Sequence, residues 1–476
     1  MSNLTSTIKS IQDIMRKDAG VDGDAQRISQ LGWMLFLKIF DEKENDWDAL
    51  KENYRSPIPK DLRWREWAAD EEGMTGDELL GFVNNSLFPR LKDLKLRGKG
   101  DAGKMVKEVF EDSYNYMKSG TLLRQVINKI NSDIKLDSKA ERHAFNDIYE
   151  QVLRDLQSAG NAGEFYTPRP VTQFIVEMIA PKLGETILDP ACGTAGFLTN
   201  VIDFIEKNEK IKTLDQRAQL QNNIRGVEKK PLPHMLATTN MILHGIEVPS
   251  IDHDNLLNYS WQEWTESKRV NVIVTNPPFG GMEEDGVENN FPQQYRTRET
   301  ANLFMALIIH LLKDRGRCGL VLPDGFLFGE GVATRIKETL LTKCNLHTIV
   351  RLPNGVFAPY TGIKTNLLFF EKGTPTSAVW YFEHPYPPGV KSYNKTKPVN
   401  IKEFDLEKNW WHNRTENEYA WKVSAEEIKQ RNYNLDIKNP HAKDEQHVYT
   451  SSELIELLDA SFARSHDLLQ QLKAEL

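Results

Sequence analysis

After Gly160, short β-branched runs alternate with segments of helical periodicity, and this alternation limits the chain to few architectures. The runs are Thr186–Leu188, Ile224–Val227, Val270–Thr275, Gly319–Leu322, His347–Arg351 and Asn366–Phe370. Strands separated by helices cannot pair as hairpins. They return through crossovers, which gives a mostly parallel sheet covered by helices. Ahead of Gly160 the pattern is helical: Leu123, Val126, Ile127, Ile130 and Ile134 recur every three or four residues, as do Leu31, Met34, Leu35 and Ile39. A polar stretch with Pro57, Pro59, Trp64, Trp67, Glu71 and Glu72 separates the two sets. His384–Pro398 holds four prolines and is expected to be a linker or long loop. A T-x-x-E capping box at Thr450 and Glu453 then opens a last helix bearing Leu454, Leu458, Phe462, Leu469 and Leu472. The expected organisation is an all-helical domain over 1–155, an α/β domain with a Rossmann-like sheet over 156–383, and a linker with a helical tail over 384–476.

Several function classes fall away. No apolar run reaches the ~20 residues of a membrane span, and the stretch Phe304–Leu312 is broken by His310. The start of the chain lacks a basic-then-apolar signal pattern, so a cytoplasmic location is expected. Cys192, Cys318 and Cys344 are too few and too scattered for a disulfide framework, and the eleven histidines show no metal-ligand spacing, so no metal is expected. A net charge of −8 constrains any role on nucleic acid: the basic surface must be local, or a partner must supply it.

The strongest local signal is a β-run ending at Asp189, followed by Pro190, Ala191, Cys192, Gly193, Thr194, Ala195, Gly196 and Phe197. A strand that turns through small residues into a helix leaves backbone N–H groups facing a ligand, and glycine lets that ligand approach. The next run, Ile224–Val227, ends in Glu228, placed to accept hydrogen bonds from ribose hydroxyls. The G-x-G-x-x-G spacing of dinucleotide loops is absent. A near miss for a triphosphate loop at Gly98 to Lys104 has Met105 where Ser or Thr is needed, and is expected to be a solvated basic loop. Cys192, inside a tight turn, is expected to be a small buried thiol and not a nucleophile.

Val270–Thr275 leads into Asn276-Pro277-Pro278-Phe279 and then Gly280-Gly281. An exocyclic amine on a heteroaromatic ring is a poor nucleophile because its lone pair is delocalised. The Asn276 side-chain oxygen and the Pro277 carbonyl are suited to accept both of its N–H protons, which draws the nitrogen towards tetrahedral geometry. The prolines fix the backbone, and Phe279 supplies a face for a base held outside the duplex.

Together these residues resemble the amino-group adenine DNA methyltransferases. With Glu164-Phe165-Tyr166-Thr167-Pro168-Arg169 upstream, the order of motifs is similar to that of the gamma class, and in particular to the modification (M, HsdM-type) subunits of Type I restriction–modification systems. The resemblance runs from about Asp24 to Gly373. It implies S-adenosyl-L-methionine as cofactor, held by Glu164, Phe165, Tyr166, Thr167, Pro168, Arg169, Asp189, Thr194, Ala195 and Gly196, with Glu228 on the ribose and Asp254 near the cofactor's adenine. The catalytic residues it implies are Asn276, Pro277, Pro278 and Phe279. It further implies double-stranded DNA as substrate, a specificity (S) subunit that selects the site, a restriction (R) subunit in the full complex, and two M chains per S chain. A stand-alone adenine methyltransferase is the rival reading. Such enzymes carry a large recognition domain after the catalytic core, for which little chain follows Gly373.

Overall fold

In the computed structural model, which describes residues 2–50, 52, 54–96, 102–134, 149, 167–358, 361–394, 396–442 and 451–475, all six expected runs are strands of one sheet. The strands are β1 (Ile187–Asp189), β2 (Ile224–Glu228), β3 (Ser250–His253), β4 (Val270–Thr275), β5 (Leu312–Pro323), β6 (Cys344–Arg351), β7 (Thr365–Lys372), β8 (Ala378–Glu383) and β9 (Ala420–Ser424). Their order is β3-β2-β1-β4-β5-β7-β6-β8-β9. The pairs from β3 through β5 are parallel, whereas β7 runs antiparallel between β5 and β6. Side chains alternate between two buried clusters: Leu367 and Phe369 join one, Leu368 and Phe370 the other. From β1 the chain builds outwards through β2 and β3, then returns to the other side of β1 with β4. The strand order therefore reverses between β1 and β4, where open α/β sheets hold their ligands.

Three strands escaped the sequence reading. β3 is a short edge strand carrying Asp252 and His253. β8 and β9 pair antiparallel, but the excursion between them hides any hairpin signal. The expected boundary at 383 consequently falls inside the sheet, because β9 completes its edge from within the region assigned to linker and tail. Nor is the proline-rich stretch a simple tether. His384 is buried against Glu407, with Nδ1 2.5 Å from its carboxylate.

The described residues ahead of Thr167 contain helices and no strand, including Ser2–Met15, Asp24–Leu50, Ala102–Glu111 and Gly120–Asp133. Their core, with Trp33, Phe36, Phe40, Trp64 and Phe110, extends onto Met235, Leu236, Ile242 and Leu243 of the α/β domain. The helix Pro231–Leu243 is thus buried from both sides, by the sheet and by the helical domain. Two glycines show how differently tight contacts respond. A Cβ at Gly120 would sit 1.8 Å from the Gly76 carbonyl oxygen, so backbone must move. At Gly32 it would meet the terminal Cε of Met235 at 2.5 Å, which can swing away. Gly120→Ala is therefore expected to cost about 1–3 kcal/mol, and Gly32→Ala well under that. Denaturant unfolding of both variants checks the ranking, and equal losses contradict it.

The final helix, Ser451–Glu475, is present, and among its described side chains Leu454, Leu458, Phe462 and Leu469 are all exposed. The capping box and the Leu472 side chain lie outside the described residues. No helix among the described residues is long and apolar enough to cross a membrane.

Candidate active site

β1 is fully buried and delivers Asp189 to the point where the strand order reverses. The turn after it is pinned to β2, since the Cys192 N–H donates to the Val227 carbonyl at 2.9 Å. Ala195 adopts a left-handed conformation (φ 64°), after which the helix Gly196–Asn208 begins. Gly193 also has positive φ, and a Cβ there would point into open space, the opening a ligand over the loop requires. Cys192 is the expected buried thiol, and burial pushes its pKa well above the ordinary value.

Glu228, at the end of β2, faces this loop. Its Oε2 accepts from the Gly193 N–H at 2.9 Å and its Oε1 from the Lys230 N–H at 2.8 Å. The carboxylate is thereby locked beside the glycine turn. Asp189 is 1% exposed, and its Oδ1 accepts from the Thr275 hydroxyl at 2.6 Å and from the Ala191 N–H at 3.2 Å. Its Oδ2 is buried without a partner among the described residues. Burial, with the nearby Glu228 charge adding to it, pushes the Asp189 pKa up to about 7.

β4 delivers the tetrapeptide next to β1, and the Thr275–Asp189 hydrogen bond ties the two strand ends together. Asn276 donates from Nδ2 to the Thr167 hydroxyl at 2.8 Å. Its Oδ1 is buried and has no donor among the described residues. Pro277 is buried, and Phe279 is half-buried, its ring edge-on to Phe357 at 6.0 Å.

Of the expected closing segment, Glu164, Phe165 and Tyr166 lie outside the described residues. Thr167 meets Asn276, and Pro168 precedes the helix Arg169–Ile179. Arg169 reaches across to the first turn of the loop helix, with Nη1 donating to the Gly196 carbonyl and the Thr199 hydroxyl, both at 2.7 Å. It braces the loop. Asp254 also stands at the strand ends, where its N–H donates to the Glu228 carbonyl at 3.1 Å. Its own carboxylate is engaged by the Asn255 N–H at 2.7 Å and by the Tyr259 hydroxyl. It lines a cavity of about 300 Å³ with Tyr259, Trp264 and, from the helical domain, Lys104. Lys104 ends the segment expected to be a solvated loop; Gly98 to Asp101 lie outside the described residues, and Lys104 itself is in a helix and pairs with Asp252 at 3.1 Å.

Sequence reasoning missed Thr275 and Asn240. Asn240 is 1% exposed, and its Nδ2 donates to the Thr194 carbonyl at 2.9 Å, holding the loop from behind. The available signal was a lone amide inside the apolar run of Pro231–Leu243, where a polar residue needs a buried partner.

Comparison with known proteins places this geometry among relatives. The profile of the N-6 DNA Methylase family matches residues 140–448, and that of the HsdM N-terminal domain matches residues 4–130. The chain is 59% identical to the EcoEI methylase subunit of a Type I restriction enzyme from Escherichia coli, over 99% of this chain and 97% of that one. It is 31% identical to the EcoKI methylase subunit of Escherichia coli K12, over 78% of this chain and 68% of that one. Among solved structures it resembles a modification subunit assigned to a type I restriction enzyme of Vibrio vulnificus YJ016, with TM-score 0.84, 44% identity and coverage of 93% and 97%. A chain from a study of complex assembly and conformational transition in a type I R-M system gives TM-score 0.81, 35% identity and coverage of 99% and 98%.

Proposed function

The chain belongs to the N-6 DNA methylase family, among the methylase subunits of Type I restriction enzymes, and from that premise we propose how its residues divide the work of methylating N6 of adenine. The enzyme is an adenine-specific DNA methyltransferase using S-adenosylmethionine. Its partners are double-stranded DNA, a specificity subunit that selects the site, and a restriction subunit; two copies flank one specificity subunit. Methylation protects host DNA from restriction, and the work is done in the cytoplasm.

One observation carries the catalytic assignment: the buried Oδ1 of Asn276 at the end of β4, which has no hydrogen-bond partner among the described residues. An amide oxygen hidden from water without a donor costs about 1–3 kcal/mol, which an incoming N–H group recovers. The adenine amino group supplies that N–H, and the Pro277 carbonyl accepts the second. With both protons engaged, the nitrogen is drawn towards tetrahedral geometry, and its lone pair leaves conjugation with the ring and points towards the cofactor loop. Phe279 stacks on the extruded base, which pays for part of the unstacking.

The loop fits the cofactor on the same physical grounds. Gly193 leaves space, the loop helix presents its N-terminus, and Asp189 Oδ2 is buried with no partner among the described residues. Glu228 takes the ribose hydroxyls, Asp189 and Thr194 to Gly196 the amino-acid end, and Asp254 the rim near the adenine ring. When bound, S-adenosylmethionine supplies an electrophilic methyl group with a neutral thioether as leaving group.

Glu228→Ala is expected to weaken cofactor binding by roughly 1–3 kcal/mol through loss of charge-assisted hydrogen bonds. Calorimetry decides this, and unchanged binding removes Glu228 from the site. The function itself is tested by transfer of labelled methyl to unmethylated DNA by the chain with its specificity subunit. The label should appear in N6-methyladenine; label confined to another nucleoside overturns the reading.

A further inference from the structure

Beyond the tetrapeptide and the Gly280-Gly281 pair lies Glu283, a carboxylate only 8% exposed. Its Oε2 accepts from Lys229 Nζ and from Asn255 Nδ2, each at 3.3 Å, and its Oε1 lies 3.3 Å from the Thr300 hydroxyl. The backbone is pinned as well. Its N–H donates to the Arg298 carbonyl at 2.9 Å, and its own carbonyl accepts from Arg298 Nε at 3.2 Å and Nη2 at 3.1 Å.

The positions of these partners give the contact its meaning. Lys229 follows Glu228 directly, and Asn255 follows Asp254. One carboxylate therefore gathers the ends of β2 and β3 and the loop that leaves β4. The upstream end of the tetrapeptide is already held, by Thr275 on Asp189 and by Asn276 on Thr167. Downstream, Gly280 and Gly281 have open space at their Cβ positions, and Gly281 has a φ of +98°. That pair gives the loop freedom, and Glu283 is where the freedom ends. Burying a carboxylate is costly even when paired, and an apolar residue would hold an ordinary loop more cheaply.

We propose that Glu283 is a positioning residue that couples the cofactor end of the site to the catalytic loop, keeping Asn276–Phe279 in register with Glu228. It acts through Lys229, Asn255 and Thr300. The proposal rests on the methyltransferase reading above.

The test uses the full chain assembled with its specificity subunit. In Glu283→Ala, turnover at saturating S-adenosylmethionine should fall about tenfold or more, and the Kd for S-adenosylhomocysteine should rise about three- to tenfold, because Lys229 and Asn255 lose a charged acceptor. Glu283→Gln can turn its amide oxygen to Lys229 and Asn255 and its NH2 to the Thr300 hydroxyl, so both quantities should return to within about threefold of the parent. Lys229→Met should reproduce the loss of cofactor affinity. A folded Glu283→Ala variant with parental turnover and affinity overturns the coupling. So does a defect that Gln leaves unrepaired while the melting temperature falls in step, since that marks a purely structural residue. If Glu283→Ala does not fold, Lys229→Met with parental cofactor affinity overturns it equally. A parent complex that transfers no methyl group would instead sink the methyltransferase reading itself.

Discussion

Asn276→Ala is expected to lower methyl transfer by about 10²–10³, the loss seen when one preorganised transition-state hydrogen-bond partner is removed. Oδ1 is the atom at stake. It is buried and has no donor among the described residues, so it stabilises nothing in the resting protein that its removal would forfeit. The substitution also takes away Nδ2 and its bond to the Thr167 hydroxyl, which is the ground-state part of the loss. Thr167→Val separates the two. It removes only that hydrogen bond and should cost far less than Asn276→Ala. Cofactor affinity should change little in Asn276→Ala, since Glu228 and the glycine turn do not depend on it. The measurement is single-turnover methylation beside calorimetry with S-adenosylhomocysteine. Matched losses in binding and turnover would make Asn276 a structural residue.

What the sequence disclosed and what it withheld follow the range of the interactions involved. The six strand runs and the strand–turn–helix at Asp189–Phe197 were legible because local periodicity and small turn residues encode them. The tetrapeptide was legible because its residue types suit a single task. By contrast, Thr275, Asn240 and Glu283 have partners far along the chain: Asp189, Thr194 and Lys229. Local sequence can mark one member of such a pair, as the lone amide in Pro231–Leu243 marks Asn240, but not its partner. β8 and β9 were missed for the same reason, as their pairing spans the excursion that buries His384 on Glu407. Asp254 is a mixed case. The resemblance implied a place for it near the cofactor's adenine, but neither the strand that leads into it nor the hydrogen bond from Tyr259 was legible.

The chain without its specificity subunit is expected to bind S-adenosylmethionine and yet methylate DNA poorly and without site preference. Charge supports this: at −8 the protein offers little net attraction to a duplex, and extruding a base costs a few kcal/mol that backbone contacts must offset. The final helix offers a place for that partner. Leu454, Leu458, Phe462 and Leu469 are 48%, 56%, 69% and 50% exposed on a helix whose apolar residues would ordinarily be covered. Burying one such side chain is worth about 1.5–3 kcal/mol, so losing two weakens association by roughly 3–6 kcal/mol, about 10²–10⁴-fold. The double variant Leu458→Asp with Phe462→Asp should therefore fail to co-purify with the specificity subunit while binding cofactor as the parent does. Site-specific formation of N6-methyladenine should disappear with it, although every catalytic residue remains in place. Parental assembly by that variant would move the docking surface elsewhere, to the helical domain first. Site-specific methylation at a normal rate by the lone chain would overturn partner dependence altogether, because an acidic catalytic domain would then be holding and opening its duplex unaided.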